Sequence, residues 1–257
     1  AMAVNHAAAL LLALVVAASC TRTLVSKQQQ QAQAIRNDDV KAKWHSQFSI
    51  GFNESTKILF KRTTTGIWWY DQAAGAEVVD RADGNGDRYC GSIHPLTSTP
   101  CRHLVVAGKR YLIFPELGEC CMCCTAAQGC GLLSPTWLDD AVFMGTEDVR
   151  GVAAYKWGKK GLQWNYWYAS ADDAQIPLQL DQMPNDLQSF YPDTFALRPV
   201  DPALLEVPPG CHSRCPISSV CTLLNPLTDE EQRAHGLDAG EGKAAGAGAA
   251  AGRTHAQ

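Results

Sequence analysis

The chain has 257 residues, 46% of them apolar and 19% charged, the balance of an ordinary globular protein and not of a disordered or fibrous one. Lys and Arg number 22 against 26 Asp and Glu, so the net charge of −4 gives no electrostatic grip on a polyanion and excludes nucleic acid as the expected partner.

Residues 7–18 form an unbroken run of Ala, Leu and Val, well short of the ~20 apolar residues that cross a bilayer. The segment reads as a signal peptide over residues 1–19, with Ala17 and Ser19 supplying the small side chains that signal peptidase requires and cleavage at or near Cys20. An uncleaved anchor or a lipid-modified Cys20 is the alternative, and retention of Cys20 stays open. No other segment predicts a stable membrane span. Residues 20–43 contain the Gln-rich stretch 28–33, which has no apolar periodicity and reads as a linker.

After the linker, the first structural signal is Gln47-Phe48-Ser49-Ile50-Gly51-Phe52, which alternates polar and apolar as a strand does. Asn53-Glu54-Ser55-Thr56 then reads as a turn before Ile58-Leu59-Phe60, giving a hairpin, and Asn53 is the only glycosylation sequon. Asp83-Gly84-Asn85-Gly86-Asp87 resembles the start of a calcium loop. The sixth position from Asp83 is Arg88 where glycine is needed and the twelfth is His94 where glutamate is needed, so a tight acidic turn is the better reading. A second hairpin has arms 104–106 and 110–114 around Ala107-Gly108-Lys109, both rich in β-formers.

Cys120-Cys121-Met122-Cys123-Cys124 comes next, followed by Cys130. Ten of the eleven cysteines fall between Cys90 and Cys221, an even set, and the leader places them in an oxidising compartment. Neighbouring cysteines are only ~3.8 Å apart at Cα, too close for a relaxed bridge, so the four are expected to bond outward. They would take four of Cys90, Cys101, Cys130, Cys211, Cys215 and Cys221, leaving two to pair. Zinc is the competing reading, since Cys120 with Cys123, Cys121 with Cys124, and Cys211-His212 with Cys215 have ligand spacing; behind a signal peptide disulfides are preferred and no metal is expected.

Ser134 and Pro135 predict a short helix over 136–141. A third hairpin joins 152–157 to 162–168 through Gly158-Lys159-Lys160-Gly161, with Trp164, Tyr166 and Tyr168 on one face. Ile176, Leu178 and Leu180 alternate with polar residues and with Pro177, which predicts an edge or a bulge. The Gly/Ala-rich segment 222–257 has too few large apolar residues to fold. The result is one mainly β domain over 44–221, α+β in class: a curved antiparallel half-barrel sheet with one or two short helices, stapled by disulfides. No nucleophile elbow, zinc-protease helix or phosphate loop is present, so no catalytic residue and no cofactor is assigned.

Taken in order, Ile67-Trp68-Trp69-Tyr70-Asp71, Asp87-Arg88-Tyr89-Cys90, Gly151 through Trp157, Gln163 through Tyr168, and Gln175-Ile176-Pro177 resemble the ependymin-related secreted proteins, and more widely the bacterial lipoprotein-carrier (LolA-type) fold that those share. The closing segment from Phe195 to Pro208-Pro209-Gly210-Cys211 is similar too. The resemblance implies a half-barrel closed over a hydrophobic pocket that takes a lipid or another apolar small molecule. The doubled cysteines depart from ependymins and are similar instead to uncharacterised cysteine-rich secreted proteins of plants and protists, for which no activity is implied. Calcium binding is not carried onto the Asp83 turn.

The reading is therefore a secreted, non-enzymatic protein with a hydrophobic partner. Its expected pocket is lined by Phe48, Ile50, Phe52, Trp68, Trp157, Trp164, Tyr166, Tyr168, Ile176, Leu178, Leu180 and Phe195. The alternatives are a cysteine-rich extracellular interaction or matrix protein without a ligand, and a zinc- or thiol-dependent enzyme.

Overall fold

The structure, a computed structural model, describes residues 40–57, 61–161 and 163–224, with 226–228, 230 and 233 beyond them. The expected signal peptide, most of the linker, Ile58-Leu59-Phe60 and most of the tail lie outside the described residues. Eleven strands form one antiparallel sheet: β1 (Gln47–Lys57), β2 (Lys61–Asp71), β3 (Ala76–Arg81), β4 (Cys101–Val106), β5 (Lys109–Phe114), β6 (Glu119–Thr125), β7 (Val142–Val149), β8 (Val152–Lys160), β9 (Trp164–Ser170), β10 (Pro177–Gln182) and β11 (Asp186–Ala196). Among the described residues, the four-residue helices α1 (Cys90–Ile93) and α2 (Cys221–Leu224) accompany the sheet.

The sheet order is β6-β5-β4-β3-β2-β1-β11-β10-β9-β8-β7. Two meanders are thus zipped together where β1 pairs with β11. Short turns suffice within each meander, and two of them show why: Ala107-Gly108 and Arg150-Gly151 place both residues at positive φ, the twist that matches antiparallel strands. The link between the meanders is different. β6 and β7 are opposite edges, so residues 126–141 must travel from one edge of the sheet to the other. Ten strand gaps on a flat sheet amount to about 48 Å. Fully extended, the linking segment would reach about 55 Å, but it holds a 3-10 turn at Ala126–Gln128 and further turns through 135–140. The sheet must therefore curl.

Three expectations are corrected. Asn53 lies within the eleven-residue strand β1 and not in a turn, paired with Thr65 and Ser189; the alternation in 47–52 continues through Thr56 because both faces of this central strand are covered. Residues 135–140 form turns and no helix, because the segment is pulled across the sheet by Tyr70, whose hydroxyl donates to Leu133 O at 3.0 Å, and by Lys159, which donates to Trp137 O and Asp140 Oδ1. The helix α2 runs into the segment expected to be unstructured, since Cys221 is tied down. Pro177 opens β10 next to a bulge, the place where a missing N–H does no harm.

All ten described cysteines are paired: Cys90–Cys101, Cys120–Cys211, Cys121–Cys215, Cys123–Cys221 and Cys124–Cys130. The doubled cysteines have a geometrical use. Successive strand residues point to opposite faces, so Cys120 holds Cys211 on one side of β6 and Cys121 holds Cys215 on the other. Between those bonds the C-terminal segment turns around the edge, where Met122 N donates to Ser213 O at 2.8 Å and Cys215 N to Met122 O at 3.1 Å. A bulge opposite Arg110 and Tyr111 brings Cys123 and Cys124 into the same buried cluster. Edge strand β6 is thus capped by its own chain.

Candidate functional site

Cross-strand partners share a face, so the register identifies what faces what. Phe52 pairs with Phe190, Leu180 with both Gln188 and Trp167, and Trp167 with Trp157. Phe48, Ile50, Phe52, Trp68, Leu180 and Trp157 therefore lie on one face, the aromatic face, and all are buried. Phe195 reaches Phe48 and His45 at 6.1 and 5.0 Å. The remaining expected pocket residues are elsewhere. Trp164, Tyr166 and Tyr168 are offset from Trp167 by one or three positions, so they project from the opposite face; Trp164 is 41% exposed, and Tyr168 packs with Leu178, Val149 and Ala154. Ile176 is half-buried just before β10, where its N–H donates to Ser170 Oγ at 2.8 Å. Asn53, on that opposite face, is also half-buried.

The centre of the aromatic face holds a residue that periodicity alone does not single out. Trp44, from the strap of residues 42–46 that precedes β1, has five rings around it: Phe48, Trp68, Tyr70, Trp137 and Trp167, at centroid distances of 5.3–5.8 Å. Trp137 is delivered by the segment that crosses the sheet, and Phe190 joins Trp68 and Trp167 from β11 at 5.9 and 5.7 Å. The indole N–H groups of Trp68, Trp137 and Trp167, and that of Trp44 itself, are buried without a hydrogen-bond acceptor, an uncommon state for a donor removed from water. Trp44 is itself only partly buried.

Further along the same face an ionic cluster replaces the rings. Arg81 donates from Nε to Glu54 Oε2 and from Nη2 to Glu54 Oε1 (3.2 Å), and lies 3.7 Å from Asp87 Oδ2, all in buried surroundings. Asp87 Oδ1 accepts from the Tyr89 and Cys90 amides at 2.9 and 2.8 Å, and from His103 Nε2 at 2.9 Å. Burial opposes ionisation of Asp87, but His103 and Arg81 outweigh it and hold its carboxyl well below the usual range. Burial likewise drives His103 down to about 4 against the pull of Asp87, so its ring is neutral and Nε2–H is the donor. Asp186, cross-strand from Thr56, is pushed up to about 7 by burial and by Glu54. This is the chemistry of the acidic turn that starts at Asp83: its last carboxylate, Asp87, braces a loop.

The sulfurs closest to ligand geometry, Cys90 and Cys101 near His103, and Cys123, Cys124 and Cys130, are bonded in disulfides, so they lack the thiolates that zinc requires. On the opposite face a groove of about 460 Å³ runs beside Ile67, Ile113 and the Asp80–Arg102 ion pair. Among the described residues no helix is long and apolar enough to cross a membrane.

No protein-family profile and no curated protein matches the chain. Solved structures do resemble it. An uncharacterised conserved protein of Thermus thermophilus covers 72% of this chain and 98% of its own, with 8% identity and a TM-score of 0.43. A LolA superfamily protein of Nitrosomonas europaea covers 66% and 94%, with 8% identity and a TM-score of 0.35. A DUF1329 family protein of Desulfovibrio piger covers 63% and 90%, with 9% identity and a TM-score of 0.32.

Proposed function

We propose that this is a non-enzymatic, secreted binding protein that holds a lipid or another apolar small molecule on the aromatic face of its sheet. The observation that carries the reading is the ring of aromatics around Trp44. An ordinary core is filled by side chains rooted in the packed layers; here the central position is filled from an irregular strap, and three indole donors around it face no acceptor. A ligand with an apolar body and an acceptor atom suits both features. Five disulfides fit an oxidising compartment, which supports secretion.

Native mass spectrometry of the oxidised protein from a secreting eukaryotic host, after exposure to a total lipid extract, tests this. A discrete bound mass is expected, with quenching of tryptophan emission. A bare protein mass and unchanged emission across the extract would sink the proposal.

A further inference from the structure

The geometry points to Trp44 as a built-in stand-in for the ligand: the natural occupant is a flat, uncharged molecule of about two fused rings bearing one hydrogen-bond acceptor, and it enters as the 42–46 strap is displaced. This rests on the aromatic face being a ligand site, and it specifies what that site takes.

The shape of the site is that of a slot for a ring. Phe48, Tyr70 and Trp137 each meet the Trp44 ring edge-on at 84°, and Trp68 and Trp167 lean over it at 53° and 57°. Edge-to-face contacts place positive ring edges against a negative ring face, a gain available to a π-system and not to a saturated chain. An acyl chain would fill the same volume with no such complement. The acceptor follows from the indole N–H groups of Trp68, Trp137 and Trp167, which are buried and unpartnered. The lack of charge follows from the surroundings. Tyr70 already donates its hydroxyl to Leu133 O, burial lowers His45, and burial raises Glu77, the cross-strand neighbour of Tyr70, so both are biased toward their neutral forms; the Arg81 cluster lies further along the face, beyond Phe52.

The occupant is also built to leave. Trp44 sits outside every strand, with β1 starting only at Gln47, so turning the strap out costs the sheet one backbone bond, from Gln72 N to Ser46 O at 2.9 Å. Apart from the rings around Trp44 and the contact of buried His45 with Phe195, what holds the strap is polar: Lys43 N donates to Gln175 Oε1 at 2.8 Å and Lys43 Nζ to Asp173 O at 3.2 Å, both exposed, while His45 lies 3.4 Å from Gln175 O.

The test uses the full oxidised protein and two probes: 6-propionyl-2-(dimethylamino)naphthalene, a neutral fused bicycle with a ketone acceptor, and dodecanol, a saturated chain. The bicycle should bind with a blue-shifted emission and speed tryptic cleavage after Lys43, and Trp44→Ala should bind it about tenfold or more tightly because the strap no longer competes. Trp44→Leu, which keeps more of the packing, should show the same direction should the alanine variant fail to fold. Binding of dodecanol alone would overturn the ring assignment while leaving an apolar carrier standing. Equal affinity of wild type and both variants, with no change at Lys43, would overturn the stand-in role. Binding of neither probe to any form would remove this inference and the function beneath it together.

Discussion

Asp186 and His103 sit in the same ionic cluster and pull stability in opposite directions with pH. His103 is held at about 4 in the fold against an ordinary 6.5, so between those values the unfolded chain binds more protons and acidification destabilises. Asp186 keeps its proton up to about 7 against an ordinary 3.8, so in that window the folded chain binds more protons and stability falls as pH rises. Asp186→Asn deletes the second effect. The variant should melt higher than wild type at pH 8, the gap should close toward pH 4, and the loss on acidification below pH 6.5 should stand out more clearly in the variant. Thermal melts followed by near-ultraviolet circular dichroism across that range decide it; a gap independent of pH would refute the assignment. At the neighbouring rung, Gly66 lies beneath the Phe52 ring, and a Cβ there would overlap both that ring and the Asp80 carbonyl. Backbone cannot give way cheaply, so Gly66→Ala should cost about 3 kcal/mol, read from the urea midpoint.

Among the elements, the cap on β6 explains why a domain of this size carries five bridges. Cys120–Cys211, Cys121–Cys215 and Cys123–Cys221 close loops of 91, 94 and 98 residues, but only the first to form restrains the full loop. Each of the others then closes a ring of a few residues. Removing Cys121 and Cys215 together as serines should therefore cost about 2 kcal/mol, whereas removing all three bridges should add the long-loop contribution of about 4.7 kcal/mol. The triple-bridge variant also uncovers the β6 edge, whose free N–H and carbonyl groups can pair with another copy. Light scattering on that variant should rise with concentration, while the single-bridge variant stays clear.

Across the whole sheet, the segment 126–141 sets the curl. By joining opposite edges it curls the sheet and lays Trp137 against Trp44 and Trp167, so the closure of the fold and the assembly of the candidate site are one event. Lys159→Met, which releases its bonds to Trp137 O and Asp140, should loosen that segment and weaken binding of the naphthalene ketone while leaving the disulfides intact; titration of probe emission would show it. Ligand saturation should in turn stabilise the fold by about 2.7 kcal/mol at a free concentration one hundred times Kd.

Much of this was legible along the chain. The arms of β4 and β5 around Ala107-Gly108, the pairing of β8 with β9, the bulge at Pro177 and the outward bonding of Cys120 through Cys124 follow from alternation, turn chemistry and the reach of a disulfide, all short-range constraints, but the turn expected at 158–161 is misplaced, since Gly158, Lys159 and Lys160 continue β8 opposite Tyr166, Asn165 and Trp164. Which aromatics meet was not legible. β9 carries rings on both faces, Trp164, Tyr166 and Tyr168 on one and Trp167 on the other, and nothing within the strand says which face turns toward Phe48. That choice is fixed by the register of β9 on β10, β10 on β11 and β11 on β1, where a one-residue slip would exchange every side chain between the faces. Trp44 and Trp137 lie in irregular segments with no period to read, and only the curl of the sheet brings them together. Strands, turns and stapling could be read from residue order because each depends on neighbours in the chain. The site could not, because its rings come from strands and segments that become adjacent only through long-range pairing.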